Sequence, residues 1–296
     1  MKKLLLIFSF FGIFIALSAQ IEDGEYNPWK YMREELVLSR LEMLKTMDRL
    51  DCEKVKEEIT HLDALRKDKL EEDSLIVDAY FSLRNISFFQ CSESYNYLKH
   101  LIKTDTSEHF RCYAITLLGW MRNTESIAFL KELLKKEGLT KDERYNAVLA
   151  YCQIAIASER QDLMDESDRL VDEFCGNKNG TAYNCLDEDC TTLYFTIGGA
   201  PAIDYFSYCL ENETNSLIAA LKLAQLGEYE KTYPVFVEVL KNEDIDNIFS
   251  ALQGLAAIGT PETFELIRAQ TQNENSFIAK QAQYIFEYID RKRREQ

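Results

Sequence analysis

From Trp29 to Ala200 the chain contains no proline, and between Glu25 and Cys175 its only glycines are Gly119 and Gly138. A sheet protein needs turn residues every ~8–12 positions. A stretch this poor in turn formers is therefore built from helices. The apolar residues keep helical time. Leu36, Val37, Leu41 and Leu44 share one face, as do Val55, Ile59 and Leu62 with Leu65 close by, and Ile127, Leu130, Leu133 and Leu134.

Capping chemistry marks where helices begin and end. Asn27-Pro28 reads as N-cap then first turn, where proline's missing N–H costs nothing. Thr140-Lys-Asp-Glu143 is a capping box, with Gly138 just before it suited to stop the preceding helix. Thr260-Pro261-Glu262 repeats the cap-plus-proline start. The predicted helices are 28–49, 52–68, 74–86, 92–103, 107–121, 125–136, 141–158, 160–174, 201–211, 214–226, 229–241, 245–258, 261–271 and 276–293. Their connections are short, so consecutive helices pack as antiparallel hairpins in an all-α fold.

Three helices carry a similar corner: Ala114-Ile-Thr-Leu-Leu-Gly119, Ala219 to Leu226-Gly227 and Ala251 to Ile258-Gly259. Small residues there let paired helices approach, and the closing glycine is expected to supply a left-handed turn. Here the chain resembles the HEAT-like repeats of α-solenoids, most clearly over 107–136 and 214–290. Tetratricopeptide pairs are the nearest competitor, but their Trp and Pro positions are missing. A non-repetitive helical bundle is the remaining alternative. The resemblance implies helix pairs stacked side by side, which use extended surfaces to hold a protein or peptide.

The break in helical order is Gly176 to Ala200, with glycines at 176, 180, 198 and 199. Leu193, Phe195 and Ile197 alternate with Thr192, Tyr194 and Thr196, which predicts a short strand inside an inserted loop. Asp187, Glu188 and Asp189, with Tyr194 and Phe195, are its candidate binding residues. The organisation expected is thus a leader over 1–19, helical repeats over 20–175, the loop over 176–200 and further repeats over 201–296.

The leader expectation rests on Lys2-Lys3, the apolar run Leu4 to Leu17, and the small residues Ser18-Ala19. These read as a cleaved export signal, so the protein is expected in the periplasm or outside the cell, with no membrane-spanning segment left after cleavage. All eight cysteines, Cys52, Cys91, Cys112, Cys152, Cys175, Cys185, Cys190 and Cys209, lie beyond it. In an oxidising compartment they are disulfide candidates. Stacked pairs would place the helix starts near Cys52 and Cys91 side by side, which predicts a bridge between them. Cys175, Cys185, Cys190 and Cys209 are expected to pair among themselves and staple the loop. Cys112 and Cys152 are either bridged or buried as small apolar groups.

Acidic residues outnumber basic ones 50 to 34, a net charge of −16. Such a surface repels phosphate backbones, so nucleic acid is not an expected partner. The acidic run 187–189 lacks the alternation and central glycine of an EF-hand. His61, His100 and His109 are the only histidines, and no zinc spacing, nucleophile elbow, phosphate loop or dinucleotide fingerprint occurs. No metal, cofactor or catalytic residue is therefore expected. The reading is a non-enzymatic exported scaffold that binds a protein or peptide. The alternative is an envelope enzyme acting on glycan or peptide through carboxylates near the 176–200 loop.

Overall fold

A computed structural model describes residues 52–67, 73–88, 91–176, 183–212, 216–242 and 244–294. The predicted leader and the predicted helix 28–49 lie outside them. All regular structure among these residues is α-helical. The helices are α1 (Cys52–Lys67), α2 (Asp73–Phe88), α3 (Ser92–Thr104), α4 (Glu108–Met121), α5 (Ser126–Leu134), α6 (Lys141–Ser158) and α7 (Gln161–Phe174). They continue as α8 (Glu188–Ile197), α9 (Gly199–Glu211), α10 (Ser216–Gln225), α11 (Tyr229–Val239), α12 (Ile245–Ile258), α13 (Pro261–Gln270) and α14 (Ser276–Arg294). None of these helices is long and apolar enough to cross a membrane.

The described residues form two compact units, 52–197 and 198–294. In the first, α2, α4, α6 and α8 are successive neighbours in one layer, with α1 and α3 on one another and on α2, and with α5 and α7 against α6. In the second, α10, α12 and α14 form one layer, α11 and α13 pack on its members, and α9 lies against α10. Each unit is a stack of antiparallel helix pairs, the all-α layout the sequence predicts.

Local chemistry explains the helix ends. The capping box at α6 is closed both ways: the Glu143 amide donates to Thr140 Oγ1 at 3.1 Å, and the Thr140 amide to Glu143 Oε2 at 3.0 Å. Thr260 caps α13, with Pro261 in its first turn. Gly227 and Gly259 take the left-handed backbone expected of them, at φ 95° and 71°. Gly119 does not. There α4 runs on to Met121, and Arg122 turns left-handed at φ 53°. Gly119 serves close approach instead, because a Cβ on it would sit 2.7 Å from Ala150 Cα of α6. Gly254 of α12 plays the same part in the second unit, where a Cβ would overlap the fully buried ring of Phe236.

Polar ties join neighbouring helices of the first unit. Arg111 Nε of α4 donates to Glu143 Oε1 of α6 at 2.5 Å, and Thr116 Oγ1 to Asn146 Oδ1 at 2.7 Å. Tyr97 Oη of α3 donates to Asp63 Oδ1 of α1 at 2.6 Å, and Arg66 pairs with Asp105. Tyr80 stacks on Phe110 and meets Tyr113 edge-on, each at 4.9 Å between ring centres.

Six of the eight cysteines are oxidised. The Cys52–Cys91 bridge is formed, with Cα atoms 6.2 Å apart, because α1 and α3 begin side by side. Cys175 is bridged to Cys190 across 5.7 Å, and Cys185 and Cys209 are disulfide-bonded too. Cys112 and Cys152 are free thiols.

The expected strand near residue 193 is corrected: 188–197 is the helix α8. Cys190, Leu193, Tyr194 and Ile197 stand at helical spacing, and the first three are buried. Asp187 Oδ1 accepts from the amides of Asp189 and Cys190 at 2.9 and 3.3 Å, which satisfies donors in the first turn. Gly198 and Gly199, both at positive φ, then break the chain between α8 and α9.

Candidate functional site

Three helices of the first unit each turn one stripe toward a common depression. From α5 and the residue that caps it come Lys131, Leu134 and Lys135, spaced i, i+3, i+4, and from the start of α6 come Lys141, Arg144 and Val148. From α7 come Glu166, Arg169, Leu170, Glu173 and Phe174. Leu139, between α5 and α6, also contributes. Cys175, Gly176, Asn184, Asp187 and Cys190 complete the lining, so the Cys175–Cys190 bridge forms part of its wall. The groove encloses ≈ 970 Å³. That is the upper end of the range of about 300–1,000 Å³ typical of ligand sites.

Most of its charges are already engaged. Arg169 spans two turns of α7, donating to Glu166 through Nε and Nη2 and to Glu173 through Nη1, each at 3.0 Å. Lys131 Nζ lies 3.7 Å from Glu166 as well. Arg169 first, then Lys131, holds the Glu166 carboxyl below the usual range against the opposing effect of burial. Lys141 Nζ joins the α6 start to the α8 start, 2.8 Å from Asp189 and 3.1 Å from Asp187. Burial pushes the Asp187 carboxyl up, but Lys141 and the Cys190 and Asp189 amides outweigh it and leave its pKa low. Two cations remain. Arg144 Nη1 donates to the Leu134 carbonyl at the end of α5, at 3.2 Å. Lys135, exposed, has no ion pair with any described residue.

The five residues singled out from the sequence separate. Asp187 lines the groove, and Asp189 supports it through Lys141. Glu188 is exposed at the head of α8 and does not line the groove. Tyr194 has no accessible surface: its hydroxyl donates to Asp172 Oδ1 at 2.6 Å, and its ring meets Tyr183 edge-on at 5.5 Å. Phe195 is half-buried outside the lining. The cations Lys131, Lys135, Arg144 and Arg169 were not expected. Their only trace in the sequence is helical spacing on three separate segments.

Chemically, Glu166 and Asp187, whose carboxyls are held low by Arg169 and Lys141, hold no proton to donate at neutral pH. Among the described residues, the acid with a raised pKa is Asp168 on α7, pushed up by burial and then by Asp165 and Asp172. One trio of metal-ligating side chains converges among the described residues, Cys52, Cys91 and Glu93, and its two sulfurs are joined in the disulfide.

No protein-family model and no curated protein matches the sequence. Among solved structures, the chain is similar to the complex of CpcE and CpcF of phycocyanin lyase from Nostoc sp., at 18% identity and TM-score 0.38, over 77% of this chain and 92% of that one. It is also similar to human deoxyhypusine hydroxylase in complex with glycerol, at 14% identity and TM-score 0.30, over 80% of this chain and 98% of that one. These two matches correct the expectation of a non-enzyme. A lyase and a hydroxylase stand among the helical structures similar to this chain, so a helical scaffold without a motif is no ground for setting catalysis aside.

Proposed function

We propose that this chain is an exported helical-repeat protein, HEAT-like in its pairs, that holds a segment of a protein partner in the groove between α5, α6, α7 and the Cys175–Cys190 bridge. The observation that carries the reading is the lining itself. Five apolar side chains, Leu134, Leu139, Val148, Leu170 and Phe174, lie between charged residues that fix one another in place. A preformed surface that mixes apolar and fixed charged side chains suits a folded or extended protein segment. The six oxidised cysteines support export, since such bridges persist outside the reducing cytoplasm.

A photo-crosslinking residue placed at Leu139 tests the groove, with the same residue at Lys241 in the second unit as control. Illumination in the native envelope gives a discrete adduct from position 139 and none from 241. Absence of an adduct at 139 removes the groove as the binding surface. Export is tested by sequencing the recovered protein from its N-terminus. A first residue of Gln20 supports cleavage after Ala19, and intact Met1 in a cytoplasmic fraction refutes it.

A further inference from the structure

We infer that the segment this groove takes is an acidic peptide carrying at least one large apolar side chain, with Lys135 and Arg144 as its charge anchors. The inference rests on the groove being the partner surface. Its first ground is a local reversal of charge. Acids exceed bases 50 to 34 over the whole chain. In the groove the balance inverts, with Lys131, Lys135, Lys141, Arg144 and Arg169 against Glu166, Glu173 and Asp187.

The second ground is which charges are already satisfied. Glu166 and Glu173 are held by Arg169 at 3.0 Å, and Asp187 by Lys141 at 3.1 Å. Those pairs are closed within the protein. What is left over is positive: Lys135 without an ion pair among the described residues, and Arg144, whose described contact is the Leu134 carbonyl. A basic segment would meet two uncompensated cations and would have to break the Arg169 or Lys141 pairs to find an acid. An acidic segment needs no such rearrangement, because carboxylates can add directly to the spare donors.

The third ground separates peptide from acidic polysaccharide. The lining includes four aliphatic side chains, Leu134, Leu139, Val148 and Leu170, and a single aromatic, Phe174. Aliphatic linings receive leucine- or phenylalanine-like side chains, whereas a sugar chain leaves them uncovered.

The test uses the full mature protein and fluorescence anisotropy of labelled hexapeptides: one of alternating acidic and Leu/Phe residues, one with every acid replaced by lysine, and one with Leu/Phe replaced by alanine. The acidic–apolar peptide binds at least tenfold more tightly than either control. Lys135→Glu, an exposed change that leaves the helical circular dichroism signal intact, weakens it about tenfold. Lys241→Glu in the second unit leaves it unchanged. Excess acidic–apolar peptide also suppresses the adduct at position 139. Equal binding of the lysine peptide, no effect of Lys135→Glu, or tighter binding of an oligogalacturonate would each overturn the inference. An adduct at 139 that survives all the peptides defeats this inference alone and leaves the groove reading standing. Loss of that adduct in the native envelope, with no competitor added, defeats the groove reading itself and this inference with it.

Discussion

Replacing Glu143 by glutamine isolates one charge in the first turn of α6. Gln is itself a capping-box residue, so the bond back to the Thr140 amide is kept. Lost with the charge is the 2.5 Å hydrogen bond from Arg111 Nε, because the glutamine NH2, a donor, then stands where Oε1 accepted. Arg111 is not orphaned, because its Nη1 still donates to the Asp105 and Thr106 carbonyls at 2.8 and 3.1 Å. Side-chain exposures of 20% for Arg111 and 8% for Glu143 place the pair closer to the buried than to the surface limit. A charge-assisted hydrogen bond of this kind contributes about 1.5–3 kcal/mol. With Arg111 still partly satisfied, the expected cost of Glu143→Gln is about 2 kcal/mol at pH 7.

The pH dependence identifies the cause. Burial alone would raise the Glu143 carboxyl, but Arg111 and the Thr140 amide outweigh it and leave the pKa lowered. A folded pKa below the unfolded one contributes stability that is fully present above the unfolded value. That stability is lost as pH falls through the folded value. The wild type should therefore lead the variant at pH 7 and lose that lead on acidification below about pH 4. Urea unfolding followed by Trp120 fluorescence reports on the first unit, since Trp120 lies on α4 and Trp29→Phe removes the other tryptophan. A gap of the same size at pH 7 and at pH 3 would show that charge is not what Glu143 supplies.

Three further outcomes are expected. Gly254→Val forces a Cβ into the Phe236 ring, and overpacking of this kind costs about 1–3 kcal/mol, read as a lower unfolding midpoint of the second unit by hydrogen exchange of α11 and α12; an unchanged midpoint would refute the close packing. Asp168→Asn removes a carboxyl whose pKa is raised by burial and by Asp165 and Asp172, so it stabilises the first unit at pH 7, and the gain vanishes on acidification as the wild-type acid takes up its proton; a variant less stable at pH 7 would contradict this. Under native conditions at pH 8 neither free thiol reacts quickly, since burial first of all pushes Cys112 to about 11 and Cys152 to about 12, whereas the denatured, unreduced protein titrates the two free thiols, Cys112 and Cys152; any additional thiol would show that a bridge is missing.

Helix ends were legible wherever a residue type has one job at that place. Thr140 with Glu143, Thr260 with Pro261, Gly227 and Gly259 all act locally, and the structure uses each as expected. Gly119 was misleading because a glycine serves equally for a turn or for contact, and only the neighbouring Ala150 decides between them. The α8 segment carries two periods at once. Leu193, Phe195 and Ile197 alternate, while Cys190, Leu193, Tyr194 and Ile197 follow a helix, and packing on α6 and α7 selects the second. The groove was invisible for a different reason. Four of its five cations have an acid beside them in sequence, as Lys131 has Glu132 and Lys141 has Asp142, and Lys135 has only Lys136 next to it, so no longer basic run exists until stacking gathers one face from each of three helices.

The bridge between Cys52 and Cys91 also sets how the chain bears tension. It spans a sequence separation of 39 residues, enclosing α1 and α2 and ending just before α3. A pull applied beyond both cysteines passes through the sulfur–sulfur link, and the enclosed helices carry none of it. At about 3.4 Å per extended residue, roughly 130 Å of contour stays out of reach until the bond is reduced. Pulled as a single molecule under oxidising conditions, the protein should stop short by at least that length, since the bridges at Cys175–Cys190 and at Cys185 and Cys209 withhold more. Replacing Cys52 by serine should release the 52–91 contour alone.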